Sequence, residues 1–409
     1  KKISLQSDMH LMDAVWEDRP SLPLDPIFEH DVKYAGKSRG DKLGELRQHM
    51  SDLRVSHYLL TGLDDIAWLF NLRGKDVDCN PVFYAYGVVT NESAILFIKD
   101  EKVPDSVRQN LKQDGVELRD YDAIQEYSST LQAKSILLQP GMTNTSLYEA
   151  LPAGKIIEGP NIVRHLKAIK NDTETGHLRE VMRKDGVALL RLYRWLDQQL
   201  DAGIAITEDQ IATRLDQFRA EQEGYVGESF NAIVGYKGNG AIIHYHPMQG
   251  SSATINKEGV LLLDSGGQYI DGTTDITRTT ALGSFSEKAK KAYTLVLKGH
   301  ITLANIQFPE GTNGAQLDIL ARMHLWNQGL NYGHGTGHGV GFFLNVHEPP
   351  QGFVASTASV NGQTPFKVGM YTSNEPGYYE TGEFGIRIEN MVLCVPAQKT
   401  SSGTFLKFD

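Results

Sequence analysis

Cysteine is nearly absent from this chain. Cys79 and Cys394 are its only two, far apart, and neither sits in a CxxC pair. That argues against a disulfide-stapled secreted protein and for a reducing, cytoplasmic setting. Long apolar runs are missing too: none approaches the roughly 20 residues that a membrane span needs. Positive charge is in deficit, with 40 Lys and Arg against 50 Asp and Glu, a net charge of −10. Nucleic-acid binders concentrate positive charge, so this balance argues against nucleic acid as the main partner. The chain also lacks internal repeats and low-complexity stretches. It opens on Lys1-Lys2-Ile3-Ser4, neither an initiator Met nor a secretory signal, and reads as a cut start.

What is present is an ordinary globular composition, 40% hydrophobic and 22% charged, in 409 residues, enough for two domains. Residues 1 to about 160 alternate short apolar strands with helical patterns. Tyr58-Leu59-Leu60-Thr61 and Ala94-Ile95-Leu96-Phe97-Ile98 read as buried strands, and Lys42 to Leu53 as an amphipathic helix. Pro and Gly at Leu151-Pro152-Ala153-Gly154 and Gly159-Pro160 mark a boundary. A long helix follows, with Leu178, Val181, Met182, Leu189, Leu192, Trp195, Leu196 and Leu200 at three- and four-residue steps. Thr207-Glu208-Asp209-Gln210 has the form of a capping box opening a second helix. Ser286-Glu287 opens a third, running toward Ile306.

Between these helices lie five separated motifs. Asp264 follows the apolar run Val260 to Leu263 and is expected at the end of a buried strand. Asp275 begins an alternating run, Ile276-Thr277-Arg278-Thr279, after the turn residues Asp271-Gly272. A bent hairpin brings the two aspartates to one end of the pair; alone, either reads as a solvated turn residue. His334 and His338 are four apart, but Gly335 and Gly337 between them disfavour a helix, so this is not a helical HExxH zinc site. A Gly-rich loop lets backbone pass close to a ligand, with one His on metal and the other on substrate. His244 and His347 share such contexts; His246 does not, and reads as structural. Glu375 precedes Pro376-Gly377, a turn that projects its carboxylate from a strand end, with a cap or surface role as the bland alternative. Arg387 and Glu389 share one face of a strand, and the apolar run Met391-Val392-Leu393-Cys394 makes that strand buried. A buried charged face needs partners: a metal for Glu389 and a carboxylate for Arg387. Four carboxylates and an imidazole can neutralise two divalent cations, which points to water activation for hydrolysis.

These motifs together resemble the pita-bread metallopeptidases: methionine aminopeptidase, prolidase and aminopeptidase P. The ligand order Asp264, Asp275, His338, Glu375, Glu389 is that family's hallmark. Within it the likeness is to the long, three-domain aminopeptidase P subgroup. Ile242-Ile243-His244-Tyr245, His347-Glu348-Pro349 and Glu375-Pro376-Gly377-Tyr378-Tyr379 carry it, with Asp65 to Gly74 and Asn80-Pro81-Val82-Phe83 in the first part. The resemblance implies an α/β chain of two domains. Residues 1–161 are a mixed-sheet, creatinase-like middle domain, and residues 162–409 the pita-bread catalytic domain. A further domain is expected before Lys1 and a further stretch after Asp409.

It also implies two divalent ions. The oxygen-rich ligand set favours Mn(II), with Zn or Co able to substitute. Asp275 and Glu389 bridge both; Asp264 completes one site, His338 and Glu375 the other. Water held between the ions attacks the carbonyl before proline, and Glu375 shuttles the proton. His334 and His347 hold the substrate carbonyl and developing oxyanion, and His244 the residue after the scissile bond. Arg387 and Tyr379 orient Asp264. An Xaa-Pro bond has no N–H to donate, so it needs a pocket shaped to the pyrrolidine ring; Phe230 and Tyr245 are candidate apolar lining. The expected activity is Xaa-Pro aminopeptidase on peptides with proline second. Prolidase activity on dipeptides is the alternative, and a non-catalytic pita-bread binding module the reading from another class. The subgroup's habit implies a homodimer. Trp326, at the polar end of a helix, is either core or an anchor in that contact.

Overall fold

A computed structural model of the protein describes Met12 and residues 15–409; Lys1-Lys2-Ile3-Ser4 lies outside them. The first unit is built on a six-stranded sheet. In spatial order its strands are Val116–Arg119, Ala94–Phe97, Tyr86–Thr90, His57–Leu60, Ile136–Leu138 and Ile156–Glu158. Tyr86–Thr90 pairs antiparallel with both neighbours while the outer pairings are parallel, so the sheet is mixed. Inner strands such as Ala94–Phe97 and Ile136–Leu138 read as unbroken apolar runs because both faces are covered. Tyr58, Leu60 and Leu96 enter one core, and Leu59, Ile95 and Phe97 another. Helix Arg39–Asp52, opened by a Ser38–Asp41 capping box, sends Leu43, Leu46 and Met50 into the first of these cores.

Helix Ile162–Ala168 leads out of this unit, with Ile162 and Val163 still in its core. The helix Asp172–Asp201 follows, and the expected apolar positions Leu178, Val181, Leu189, Leu192 and Leu196 are its buried face. The capping box at Thr207 and Gln210 opens helix Glu208–Ala220. These two helices pack on strands Tyr225–Tyr236, Val260–Tyr269 and Ile276–Ala281 through Leu192, Leu196, Ile211, Leu215, Val234, Leu261 and Leu263. A second half repeats the scheme. Helices Glu287–Ala304 and Gly314–Trp326 lie over a sheet in the order Gln307–Pro309, Gly403–Phe408, Asn390–Thr400, Tyr371–Asn374. The halves join where the Glu389 N–H donates to Thr277 O at 3.1 Å and the Thr279 hydroxyl to Arg387 O at 2.9 Å. No helix among the described residues is long and apolar enough to cross a membrane.

Two expectations change. Asp264 is not at a strand end: its strand continues to Tyr269, and Asp264 sits mid-strand opposite Thr277 and Ile233. Ser265-Gly266-Gly267 has the composition of a turn, yet it is buried between neighbours. A Cβ on Gly266 would lie 2.0 Å from Thr274 O, so only glycine lets these strands approach. Trp326 is not core. It ends its helix 45% exposed, with its indole N–H donated to Asn331 Oδ1 at 3.0 Å.

Candidate metal centre

The mid-strand position of Asp264 and the start of the next strand put Asp264 and Asp275 on one side of the hairpin. The junction between the halves adds Glu389. One carboxylate oxygen from each of the three lies within 4.8 Å of the others, and all three residues are buried. Asp264 Oδ1 and Glu389 Oε1 are buried without a hydrogen-bond partner among the described residues. Their companion oxygens are held. Arg387 donates to Asp264 Oδ2 from Nε at 3.0 Å and Nη2 at 2.7 Å, and the Thr277 hydroxyl donates to Glu389 Oε2 at 2.8 Å.

His338 completes the group from the Gly-rich loop. A Cβ on Gly337 would meet Ser373 O at 1.9 Å, so glycine lets the loop lie flat against strand Tyr371–Asn374. The His338 Nδ1–H faces Gly339 O at 2.9 Å and donates to it. This turns Nε2 toward Asp275 Oδ2, 3.5 Å away, and Glu375 Oε1, 3.4 Å away. Glu375 follows its strand, as its turn residues predicted. Its backbone N–H donates to Thr336 O at 2.8 Å, and its Oε1 accepts from the Ser373 hydroxyl at 2.9 Å. So four carboxylates and one imidazole nitrogen converge, with two of the carboxylate oxygens lacking donors among the described residues. Burial, then the neighbouring carboxylates, push Glu389 well above the usual range. Burial with Asp264 and Glu375 outweighs His338 in raising Asp275 to about 7. Burial would lower His338, but Asp275 and Glu375 overcome it and hold the imidazole near 9. Such a donor set is costly without positive charge and suits two hard divalent cations.

The other histidines divide. His334 has both nitrogens engaged: Nδ1 with Gly335 O at 2.7 Å and Nε2 with the Tyr379 hydroxyl at 2.8 Å. Tyr379 in turn accepts from Arg387 Nη1 at 2.7 Å. A single chain therefore runs Asp264–Arg387–Tyr379–His334. The His347 ring packs on His338 at 4.2 Å between centroids. Burial, then the charges of His338 and His244, lower it to about 4, so it is a neutral imidazole at physiological pH. His334, His338, His347, Asp264 and Arg387 line a cavity of about 400 Å³ with His244, Phe230, Ile233, Ile243, Val354 and Asn361. His246, taken from sequence as structural, stands at this cavity with His244, and both are exposed. Tyr245 is not part of the lining; its hydroxyl turns away to Glu208 at 2.7 Å. Thr277, Ser373, Val354 and Asn361 carried no sequence signal, because lone Thr, Ser, Val and Asn residues are common everywhere.

Comparison with known proteins follows the geometry. The description "Creatinase/Prolidase N-terminal domain" matches residues 18–174, and "Metallopeptidase family M24" matches residues 176–396. The chain is 46% identical over 402 residues to a probable Xaa-Pro aminopeptidase P of Laccaria bicolor, covering 96% of this chain and 61% of that one. It is 41% identical over 399 residues to Xaa-Pro aminopeptidase 1 of Dictyostelium discoideum, covering 96% and 63%. The chain thus spans less than two thirds of either relative. Among solved structures it is similar to the X-prolyl aminopeptidase of Caenorhabditis elegans, described as a cytosolic enzyme with a di-nuclear active site. The TM-score is 0.93 at 34% identity, covering 98% of this chain and 66% of that one. It is also similar to an Xaa-Pro dipeptidase from Bacillus anthracis, with a TM-score of 0.71 at 25% identity, covering 90% and 97%.

Proposed function

The chain belongs to metallopeptidase family M24, and we propose that it is the catalytic part of an aminopeptidase that releases the residue preceding a proline from peptide N-termini. The observation that carries this reading is His338 Nε2 facing Asp275 and Glu375 beside the Asp264, Asp275 and Glu389 cluster. That intact set also speaks against a non-catalytic binding module. These five residues would hold two divalent ions, which when bound would make a water more acidic and polarise a carbonyl. We assign Mn(II) to them from the oxygen-rich donors.

The protein's own groups do the rest. His347, neutral and without a hydrogen-bond partner among the described residues, has an N–H to give the substrate carbonyl and the oxyanion that develops there. His334 donates Nδ1–H to Gly335 and accepts from Tyr379, so in this arrangement it has no N–H left for that carbonyl. We assign it to orienting Tyr379, and through Arg387 to Asp264, instead of the direct contact expected from the motif. We assign Glu375 to carry the proton from the water to the departing proline nitrogen, since its Oε1 lies 3.4 Å from His338 Nε2 within the cluster. Phe230, Ile233, Ile243 and Val354 give the cavity an apolar wall for a pyrrolidine ring, and His244 holds the residue after the scissile bond. We further propose a cytoplasmic homodimer in which Trp326, Ile301 and Ile319, all exposed on the two outer helices, face a second copy. The test is kinetic. The protein with Mn(II) is expected to cleave Xaa-Pro-Yaa peptides in preference to Xaa-Pro dipeptides, and the reverse preference makes it a prolidase.

A further inference from the structure

Glu208 lies outside the metal cluster, at the first turn of helix Glu208–Ala220, and is fully buried. Among the described residues no lysine, arginine or histidine pairs with it. Its partners are four neutral groups, all from one excursion of the chain. Oε1 accepts from the Tyr236 N–H at 2.7 Å and from Asn239 Nδ2 at 3.0 Å. Oε2 accepts from the Tyr245 hydroxyl at 2.7 Å, the Ala253 N–H at 2.9 Å and Asn239 Nδ2 at 3.1 Å. Tyr236 ends one strand, and Thr254 begins the two-residue pairing with Ile206-Thr207 that brings the chain back beside Glu208. One carboxylate therefore ties both ends and the middle of the 236–253 segment. Beyond one short 3-10 turn, Lys237–Ala241, that segment has no regular structure of its own.

The segment carries His244 and His246 to the cavity. Tyr245 stands between them in the chain, and its hydroxyl is drawn inward to Glu208 while both histidines stay exposed at the cavity. We propose that Glu208 is a positioning residue for substrate: its buried carboxylate holds the 236–253 segment so that His244 and His246 face the bound peptide. This rests on the peptidase reading above. A carboxylate suits the task because each of its two oxygens accepts from more than one donor at once. A glutamine cannot replace it, because its NH₂ would face donors on whichever side it took.

The experiment compares Glu208→Gln and Tyr245→Phe with the parent, each loaded with Mn(II), by hydrogen–deuterium exchange and by steady-state cleavage of an Xaa-Pro-Yaa peptide. Both variants are expected to keep two metal ions and to exchange faster across 237–253 only. KM is expected to rise about fivefold or more in Glu208→Gln, with a smaller change in kcat. Tyr245→Phe removes one donor and moves both readouts the same way, less far; it carries the test if Glu208→Gln does not fold. Parental exchange across 237–253 and parental KM in a folded variant overturn the proposal. If the parent cleaves no peptide, the peptidase reading falls, and exchange across 237–253 still decides whether Glu208 is the tether.

Discussion

Arg387 gives two N–H groups to a single oxygen of Asp264, Oδ2, and leaves Oδ1 without a partner among the described residues. The guanidinium thus turns one lone-pair face of the carboxylate into the cavity and blocks rotation. Both residues are buried, so neither can trade the other for water. Arg387 holds Tyr379 with its third contact, linking the aspartate to His334.

Replacing Arg387 with Lys keeps the charge and loses the fork. Metal affinity and kcat/KM are expected to fall about 10- to 100-fold, the usual effect of removing a group that orients a ligand. Isothermal titration with Mn(II) beside peptide kinetics measures both; parental values in Arg387→Lys would show that the fork does not matter.

Asp275→Ala or Glu389→Ala removes the carboxylate common to the cluster and its surroundings. Activity is expected to drop at least about a thousandfold, with fewer than two ions per chain, because the remaining ligands cannot balance both charges. Elemental analysis of the folded variants checks this. A well-folded variant of either kind that keeps full activity sinks the dinuclear reading.

Metal removal should expose a pH dependence. The folded pKa of His338, about 9, lies above its unfolded value near 6.5, so its contribution to stability is full below 6.5 and lost as pH rises through 9. Asp275 is raised too, to about 7; burial favours its neutral form, so stability falls as it ionises. His347 is lowered to about 4, so its contribution has the opposite sign and is lost as pH falls below 6.5. Above pH 6.5 the cluster's contributions only fall, while Lys42, lowered by burial to about 7, adds stability as pH rises. The cluster is therefore read from the difference: relative to the Mn(II)-saturated protein, the melting temperature of the metal-free protein is expected to decline from pH 6.5 to 9. Calorimetry with and without chelator tests it; a difference that does not change with pH contradicts the clustered arrangement.

Because Trp326 is half exposed, Trp326→Glu is expected to fold with an unchanged melting temperature and to convert the full-length homodimer to a monomer. Light scattering reads the outcome, and a monomeric parent at high concentration refutes the dimer.

The sequence by itself determined which side chains could form the cluster. Asp264, Asp275, His338, Glu375 and Glu389 were legible because each sits in a short motif whose turn residues, glycines or apolar run dictate its local backbone. The long helices were legible from apolar spacing and caps for the same local reason. Only the tertiary structure decided what surrounds these groups. Glu208 meets partners 28 to 45 residues away, two of them bare backbone N–H groups that any residue would offer. Arg73 of the first unit is likewise fully buried with its Nε donating to Phe343 O, 270 residues on, a carbonyl with no signature in the amino-acid string. Asp264 looked like a strand end because the apolar run Val260 to Leu263 stops just before it. It is mid-strand because packing against Thr274 rewards the missing Cβ of Gly266. His246 looked inert until the fold of the 236–253 segment brought it to the cavity. Local residue chemistry sets which groups can react. Long-range contacts through backbone atoms set where those groups point, and they leave no pattern along the chain.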